Sequence, residues 1–301
     1  MLDPENLYEV DSDVPDLAGA VLLHHLDGFM DAGSAGGAVV EQLLDSFEHR
    51  EIARFDVDGL LDHRSRRPTM TFMTDHWADY EAPTLAVHLL HDAAGTPFLL
   101  LTGPEPDFRW ESFVAAVQQL VERWGVRLSV GFHGIPMGIP HTRPLGVTAH
   151  GSRPALTAGY ERFFNEVQVP GNVSALLELR LGQAGLDAVG FAAHVPHYLS
   201  QSTYPAAALV LLEAIVKSTD LVLPATALTE NSRRAEAEIE RQIAESDKAA
   251  EVVASLERQY DAFADAKGKD NLLADPENLP SADELGAELE RYLAEQQGKT
   301  D

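Results

Sequence analysis

The chain has 301 residues, enough to bury a substantial core in one large domain or two small ones, and 48 acidic against 22 basic side chains give it a formal net charge of −26. That balance argues against nucleic acid, whose phosphates need clustered Lys and Arg, and against an anionic membrane surface; it favours solubility or a basic partner. Cysteine is absent, which excludes a disulfide framework, thiolate chemistry and cysteine metal sites.

The first residues, Met1-Leu2-Asp3-Pro4-Glu5, are acidic and lack the basic region and apolar run of a signal peptide. No apolar window approaches the ~20 residues that span a bilayer. The expectation is a soluble cytoplasmic protein with no membrane partner.

An apolar run over residues 18–26 leads into Asp27-Gly28-Phe29-Met30-Asp31-Ala32-Gly33-Ser34-Ala35-Gly36-Gly37, then into a stretch with helical spacing over 38–44. Strand, glycine-rich turn and helix in that order open an α/β sheet. Residues 51–57 read as a strand, followed by a polar connection, 58–68, in which His63, Arg64, Arg66 and Arg67 stand out from so acidic a chain. Residues 69–74 alternate as a half-buried strand should. Two apolar runs, 84–90 and 97–102, flank a Gly95 turn and predict an antiparallel hairpin, hence a mixed sheet. A helix is expected from about Arg109 to Trp124, ended by Gly125. A strand over 126–132 then exits into a long Gly/Pro loop, 133–144, and 145–150 returns as a strand. Asn172 is placed to cap a helix over 174–184. Residues 186–195 form an apolar strand stopped by Pro196, and a helix with Pro205 in its first turn runs over 204–217.

Seven or eight strands and four helices, with both alternation and hairpins, predict a three-layer α/β/α core domain over residues 1–225. Residues 226–301 form a helical C-terminal extension. From Thr226 to Ala266 the chain has no Gly or Pro. Ile239, Ile243, Ala250, Val253, Leu256, Tyr260 and Phe263 keep a three- and four-residue rhythm there, broken by Ser246. This is an amphipathic helix or helical pair of ~40 residues, expected to pack back on the sheet domain, with packing on another copy as the alternative. Ser281-Ala282-Asp283-Glu284 opens a last helix with capping-box chemistry.

The glycine-rich turn lacks both Gly-x-Gly-x-x-Gly and the lysine of a phosphate loop, and Asp27 and Asp31 would repel a phosphate. Asp31 is read as a helix N-cap, with a small-ligand site as the alternative. His133, His141, His150, His194 and His197 follow late strands, but their spacing matches no zinc motif, and Pro196 forbids one-face helical pairing of His194 with His197. No metal is expected. Glu105, Arg109, His133, His141 and Arg143 leave strand ends and, with Asp31, are the candidate ligand-binding residues of one cleft suited to acid–base or anion chemistry. The competing reading makes them loop-pinning hydrogen bonds and ion pairs.

Several motifs occur in order: Gly28-Phe29-Met30-Asp31-Ala32-Gly33, Asp62-His63-Arg64-x-x-Arg67-Pro68, Gly103-Pro104-Glu105-Pro106-Asp107-Phe108-Arg109-Trp110 and Pro140-His141-Thr142-Arg143-Pro144. Val169-Pro170-Gly171-Asn172 with Leu177-Glu178-x-Arg180, His194-Val195-Pro196-His197-Tyr198-Leu199, Tyr204-Pro205 and Leu212-Glu213 continue them. Over about residues 18–220 the chain resembles the actinobacterial branch of the proteasome assembly chaperone 2 family, including its helical tail. The resemblance implies a nucleoside-phosphorylase-like α/β/α fold and a homo-oligomer, commonly a trimer. It also implies a non-enzymatic chaperone or scaffold role with proteasome subunits as partners. The alternative it carries is an ATP-dependent carboxylate–amine ligase-like or phosphorylase/hydrolase-like enzyme with a strand-end cleft. It supplies no catalytic residues, and no cofactor is expected. Relatives can dock through a terminal hydrophobic–Tyr–any-residue tripeptide. This chain ends Gly298-Lys299-Thr300-Asp301, and its similar segment Arg291-Tyr292-Leu293 is internal, so docking through that tripeptide is not expected.

Overall fold

The computed structural model describes residues 3–163 and 166–265. One compact unit spans Met1–Tyr260 and a second Asp261–Asp301; the sheet lies in the first. The elements in chain order are β1 (Tyr8–Val10), β2 (Val21–Asp27), α1 (Ala35–Ser46), β3 (His49–Phe55), α2 (Val57–Leu60), β4 (Met70–Met73), β5 (His76–Tyr80), β6 (Ala86–His91), β7 (Pro97–Pro104) and α3 (Trp110–Arg123). They continue with β8 (Leu128–Met137), β9 (Val147–Gly151), α4 (Val173–Gln183), β10 (Ala188–Pro196), α5 (Pro205–Thr219), α6 (Thr226–Ala244) and α7 (Asp247–Asp265).

Eight strands form one mixed sheet in the order β1-β3-β6-β7-β2-β8-β10-β9. Its centre, β7-β2-β8-β10, is parallel. The flanking pairs β1–β3, β3–β6, β6–β7 and β10–β9 are antiparallel. Strands covered on both faces read as continuous apolar runs rather than alternations. All nine residues of β10 and six of the seven in β2 are accordingly buried. Phe113, Val117 and Leu120 of α3 and Leu177 and Leu181 of α4 pack on Leu22, Leu99 and Leu101 on one face. Val39 and Leu43 of α1 and Leu211 and Ile215 of α5 pack on Leu23, Leu100, Val130 and Phe191 on the other. This is the expected three-layer α/β/α arrangement with its mixed sheet and the β6–β7 hairpin.

Two expectations differ in detail, and one left open is narrowed. The segment after Phe132 is not loop at once: β8 runs on to Met137, because its parallel ladder with β10 carries through His133, Gly134, Ile135 and Pro136. The strand expected over 69–74 is present, but not half-buried. β4 pairs only with β5, outside the main sheet, and every residue of both is exposed. Of the helix or helical pair expected after Pro224, the pair is present. It breaks at Glu245-Ser246, where the Ser246 hydroxyl accepts from Ala249 N. The pair packs back on the sheet domain: Leu228, Ser232, Val253 and Leu256 are buried, and Ile239 joins the α1/α5 side of the core. The expected last helix after Ser281, the terminal residues and Arg291-Tyr292-Leu293 lie outside the described residues.

Candidate functional site

The carboxyl ends of β2, β7, β8 and β10 all open at one end of the sheet, where an α/β fold places its ligands. The residues expected there fall into three sets by the partners they hold.

Asp31 leads the first. Helix α1 starts after Ser34, whose φ of +48° leaves it without a side-chain cap bond. The cap comes instead from Asp31, whose Oδ1 accepts from Gly36 N at 2.9 Å and whose Oδ2 accepts from Gly37 N at 3.0 Å. Oδ1 also accepts from Gly134 N at 2.8 Å, tying the α1 entry to β8. The N-cap chemistry read from sequence is therefore present, supplied from farther upstream than a cap residue normally sits. Beside it lies His25, which the sequence reading did not single out. Its Nδ1 is 3.0 Å from the Phe132 carbonyl, which only accepts, so this nitrogen carries a proton. Its Nε2 faces two carboxylates, Asp27 at 3.4 Å and Asp31 at 3.7 Å. Burial opposes charge on this ring, but attraction to Asp27 and Asp31 and the bond to Phe132 outweigh it and raise its pKa.

Glu105 leads the second set. It is buried, and its Oε1 accepts from Val173 N at 2.7 Å, capping the first residue of α4. Its own amide donates to Asp27 O at 2.7 Å. Arg66 closes the arrangement: its guanidinium donates to the Glu105 carbonyl at 2.8 Å and pairs with Asp107 at 3.1 Å. The basic run in an acidic chain was the signal for this residue; its target was not legible. Arg109 sits exposed at the α3 entry with φ +59°.

The third set holds the β8–β9 loop. His141 Nδ1 lies 2.7 Å from Tyr198 Oη, and the same oxygen accepts from His141 N at 2.8 Å. Burial lowers the His141 pKa and pushes the Tyr198 phenol up to about 12. Arg143 reaches Glu257 of α7 at 3.3 Å, Thr142 Oγ1 donates to the same carboxylate at 2.6 Å, and Tyr260 Oη donates to Pro144 O at 3.0 Å.

His133 lies instead within a histidine layer on the α4 face of the sheet. His24, Gly131, Gly190 and His150 occupy one cross-strand row on β2, β8, β10 and β9. The rings of His24 and His150 lie over the two glycines: a Cβ on Gly131 would stand 2.7 Å from His24 Cε1, and one on Gly190 would collide with the His150 ring. His150 Nδ1 is 2.8 Å from Glu178 of α4, which raises its pKa against the opposing effect of burial. Burial pushes His24 down to about 3 and His133 and His194 down to about 4; proximity to His150 adds to the effect at His24 and His133. His194 Nε2 lies 2.8 Å from Thr148 Oγ1. Among the described residues no group of three or more His, Asp or Glu is placed to hold a metal, and no helix is long and apolar enough to cross a membrane. Gly190→Ala is expected to displace the His150–Glu178 pair and lower stability by about 1–3 kcal/mol in urea unfolding. An unchanged midpoint would show that α4 does not depend on this row.

Large apolar side chains remain uncovered at and beyond the strand ends. Phe29 and Met30 follow β2, Phe108 precedes α3, and the β4–β5 ribbon presents Met70, Phe72, Met73, Tyr80 and Trp77, the last 64 % exposed.

A search of curated proteins returns no match. Among solved structures, the chain is similar to a Mycobacterium tuberculosis protein of unknown function, with 47% identity and a TM-score of 0.82 over 87% of this chain and 90% of that one. A Corynebacterium glutamicum protein of unknown function is 38% identical, with a TM-score of 0.82 over 86% of this chain and 98% of that one. A proteasome-assembly chaperone homologue from Mycobacterium tuberculosis is 26% identical, with a TM-score of 0.71 over 77% of this chain and 99% of that one. The PAC2 family model matches residues 25–243, most of the sheet and its helices; the chain belongs to the PAC2 family.

Proposed function

We propose that this protein is a non-enzymatic, self-associating chaperone or scaffold whose clients are proteasome subunits, and that it works in the cytoplasm. One contrast carries the reading. At the strand ends three ionisable side chains are already engaged within the fold: Asp31 binds three amides, Glu105 caps α4 and His141 is bonded to Tyr198. Facing outward beside the exposed Asp27 and Arg109 are large apolar side chains: Phe29, Met30, Phe108 and the β4–β5 ribbon. Exposed apolar patches of this kind mark protein–protein surfaces. A two-stranded ribbon is only marginally stable alone, which favours a cover that is always present. A further copy of the chain meets that requirement, and a trimer is the assembly expected. Similarity to a proteasome-assembly chaperone homologue points to the client class.

The test is co-elution of the full chain with proteasome subunits at cytoplasmic salt. Stable co-elution, lost in Phe72→Ser/Trp77→Ser, is the expected result. Absence of any complex with the unaltered chain would remove the proteasome from the reading. The double variant also removes the Phe72–Trp77 cross-strand ring contact at 5.0 Å, so circular dichroism is used alongside to check that the main sheet stays folded.

A further inference from the structure

Glu81 N donates to Thr69 O at 3.0 Å and closes the base of the β4–β5 ribbon. Beyond that bond the two strands pair only with each other, and every residue of both is exposed. The Phe72 and Trp77 rings meet edge to face with centroids 5.0 Å apart, so the apolar knob is pre-formed. Residues 70–81 carry Asp75, Asp79 and Glu81 and no Lys or Arg. The ribbon is therefore apolar and acidic at once.

The strand-end surface has the complementary make-up. Three segments are stapled together there: Asp107 N and Phe108 N both donate to Leu60 O, and Arg66 donates to the Asp27 and Glu105 carbonyls. A Cβ on Gly28 would stand 2.7 Å from the Arg66 guanidinium, so the turn that carries Arg66 lies against the residue preceding Phe29. These contacts put the exposed Phe29, Met30 and Phe108 on one surface with the exposed Arg64, Arg67 and Arg109. Among the described residues none of those three arginines makes an ion pair. Carboxylates beside them are already engaged: Asp27 lies 3.4 Å from His25 Nε2, Asp58 3.2 Å from His63 and Asp107 3.1 Å from Arg66. Three unpaired arginines around an apolar patch are a marked departure in a chain of net charge −26.

We infer that the β4–β5 ribbon of one copy seats on the strand-end surface of a second copy, its rings on the apolar patch and its carboxylates toward the three arginines. The inference rests on the self-association proposed above and names the two surfaces that meet. Like-with-like pairing is unfavourable: two ribbons would confront the same three carboxylates, and two strand-end surfaces the same three arginines. The unlike pair covers both apolar surfaces and sets opposite charges face to face. Arginine suits this role, because its planar guanidinium donates two parallel bonds to one carboxylate. The pairing is head-to-tail, so each copy uses its ribbon and its strand-end surface at once, and the copies close into a ring. The loss of client binding expected in the ribbon variant then follows from loss of the assembly.

Sedimentation velocity of the full chain and two variants tests the arrangement. Phe72→Ser/Trp77→Ser disables the ribbon, and Phe108→Ser/Arg109→Glu disables the strand-end surface. The unaltered chain is expected to sediment as one discrete oligomer and each variant alone as a monomer. Their equimolar mixture should give a one-to-one dimer, because the intact ribbon of the second variant still finds the intact surface of the first. The single change Arg109→Glu should weaken assembly about tenfold, and circular dichroism checks that every variant keeps its fold. A monomeric unaltered chain, self-association retained by either double variant alone, or a mixture that stays monomeric where the unaltered chain assembles would overturn the inference. Self-association retained by one variant overturns this pairing and leaves the broader proposal of self-association standing. A chain that assembles in this way without holding proteasome subunits fails the client proposal alone.

Discussion

Asp31→Ala is expected to destabilise the fold by about 4 kcal/mol, the largest effect of any single strand-end substitution. The variant leaves three amides, Gly36, Gly37 and Gly134, without their acceptor. An unsatisfied buried donor costs roughly 1–3 kcal/mol, more where the lost acceptor is charged. The effect is concentrated because one carboxylate caps α1 and holds β8. It also takes one of two carboxylates from beside His25 Nε2. Asp31→Asn keeps one acceptor oxygen and is expected to fall between Ala and the parent. Urea unfolding at neutral pH reads both. The midpoint should drop with an unchanged slope; a loss below about 1 kcal/mol for Asp31→Ala would mean that water replaces the carboxylate at all three amides.

The second large effect is acid lability. His24, His133 and His194 are held near pKa 3, 4 and 4 in the fold, against an ordinary 6.5. The unfolded chain takes up protons on these groups from about pH 6.5 downward, while the folded chain resists until near 4. Acidification therefore drives the equilibrium towards the unfolded state. Converted at 1.36 kcal/mol per pK unit, the almost fully buried His24 and His194 each withdraw on the order of 3 kcal/mol by pH 4. His25 and His150 act with the opposite sign. Their folded pKa values are raised, so their contribution is complete below the unfolded value and is lost as pH rises through the folded one. Stability should peak near neutrality and fall steeply below pH 6.5. His194→Gln should flatten the acid limb by about one proton. An unchanged slope in that variant would show that His194 does not titrate with unfolding.

Much of this fold was legible because its signals are local. Asn172 reads as a cap, and its Oδ1 accepts from Ala175 N at 2.8 Å. Gly125 reads as a helix stop and adopts φ +61°. Asp31 reads as a cap because a carboxylate preceding a small-residue helix start has that chemistry whatever its register. The failures have tertiary causes. Gly134 and Pro136 punctuate the sequence like loop residues, yet β10 extends the ladder past both. The alternation over 69–74 is real, but the face it would bury finds no cover among the described residues of this chain. At the candidate site the residue types were readable and their partners were not. His141 and Tyr198 are 57 positions apart, and Arg143 and Glu257 are 114 apart; no pattern in either neighbourhood announces the other. In the fold Asp31, Glu105 and His141 each hold backbone or a loop, Arg109 is exposed, and His133 lies in the histidine layer.

The most direct test of the account follows assembly itself. Purified proteasome subunits are mixed with and without the full chain, and the appearance of assembled particle is timed by native gel. The account predicts faster assembly with the unaltered chain, lost in Phe72→Ser/Trp77→Ser and kept in His141→Gln, which alters only a loop pin. Equal rates with and without the chain, or full activity in the ribbon variant alongside loss in His141→Gln, would contradict it.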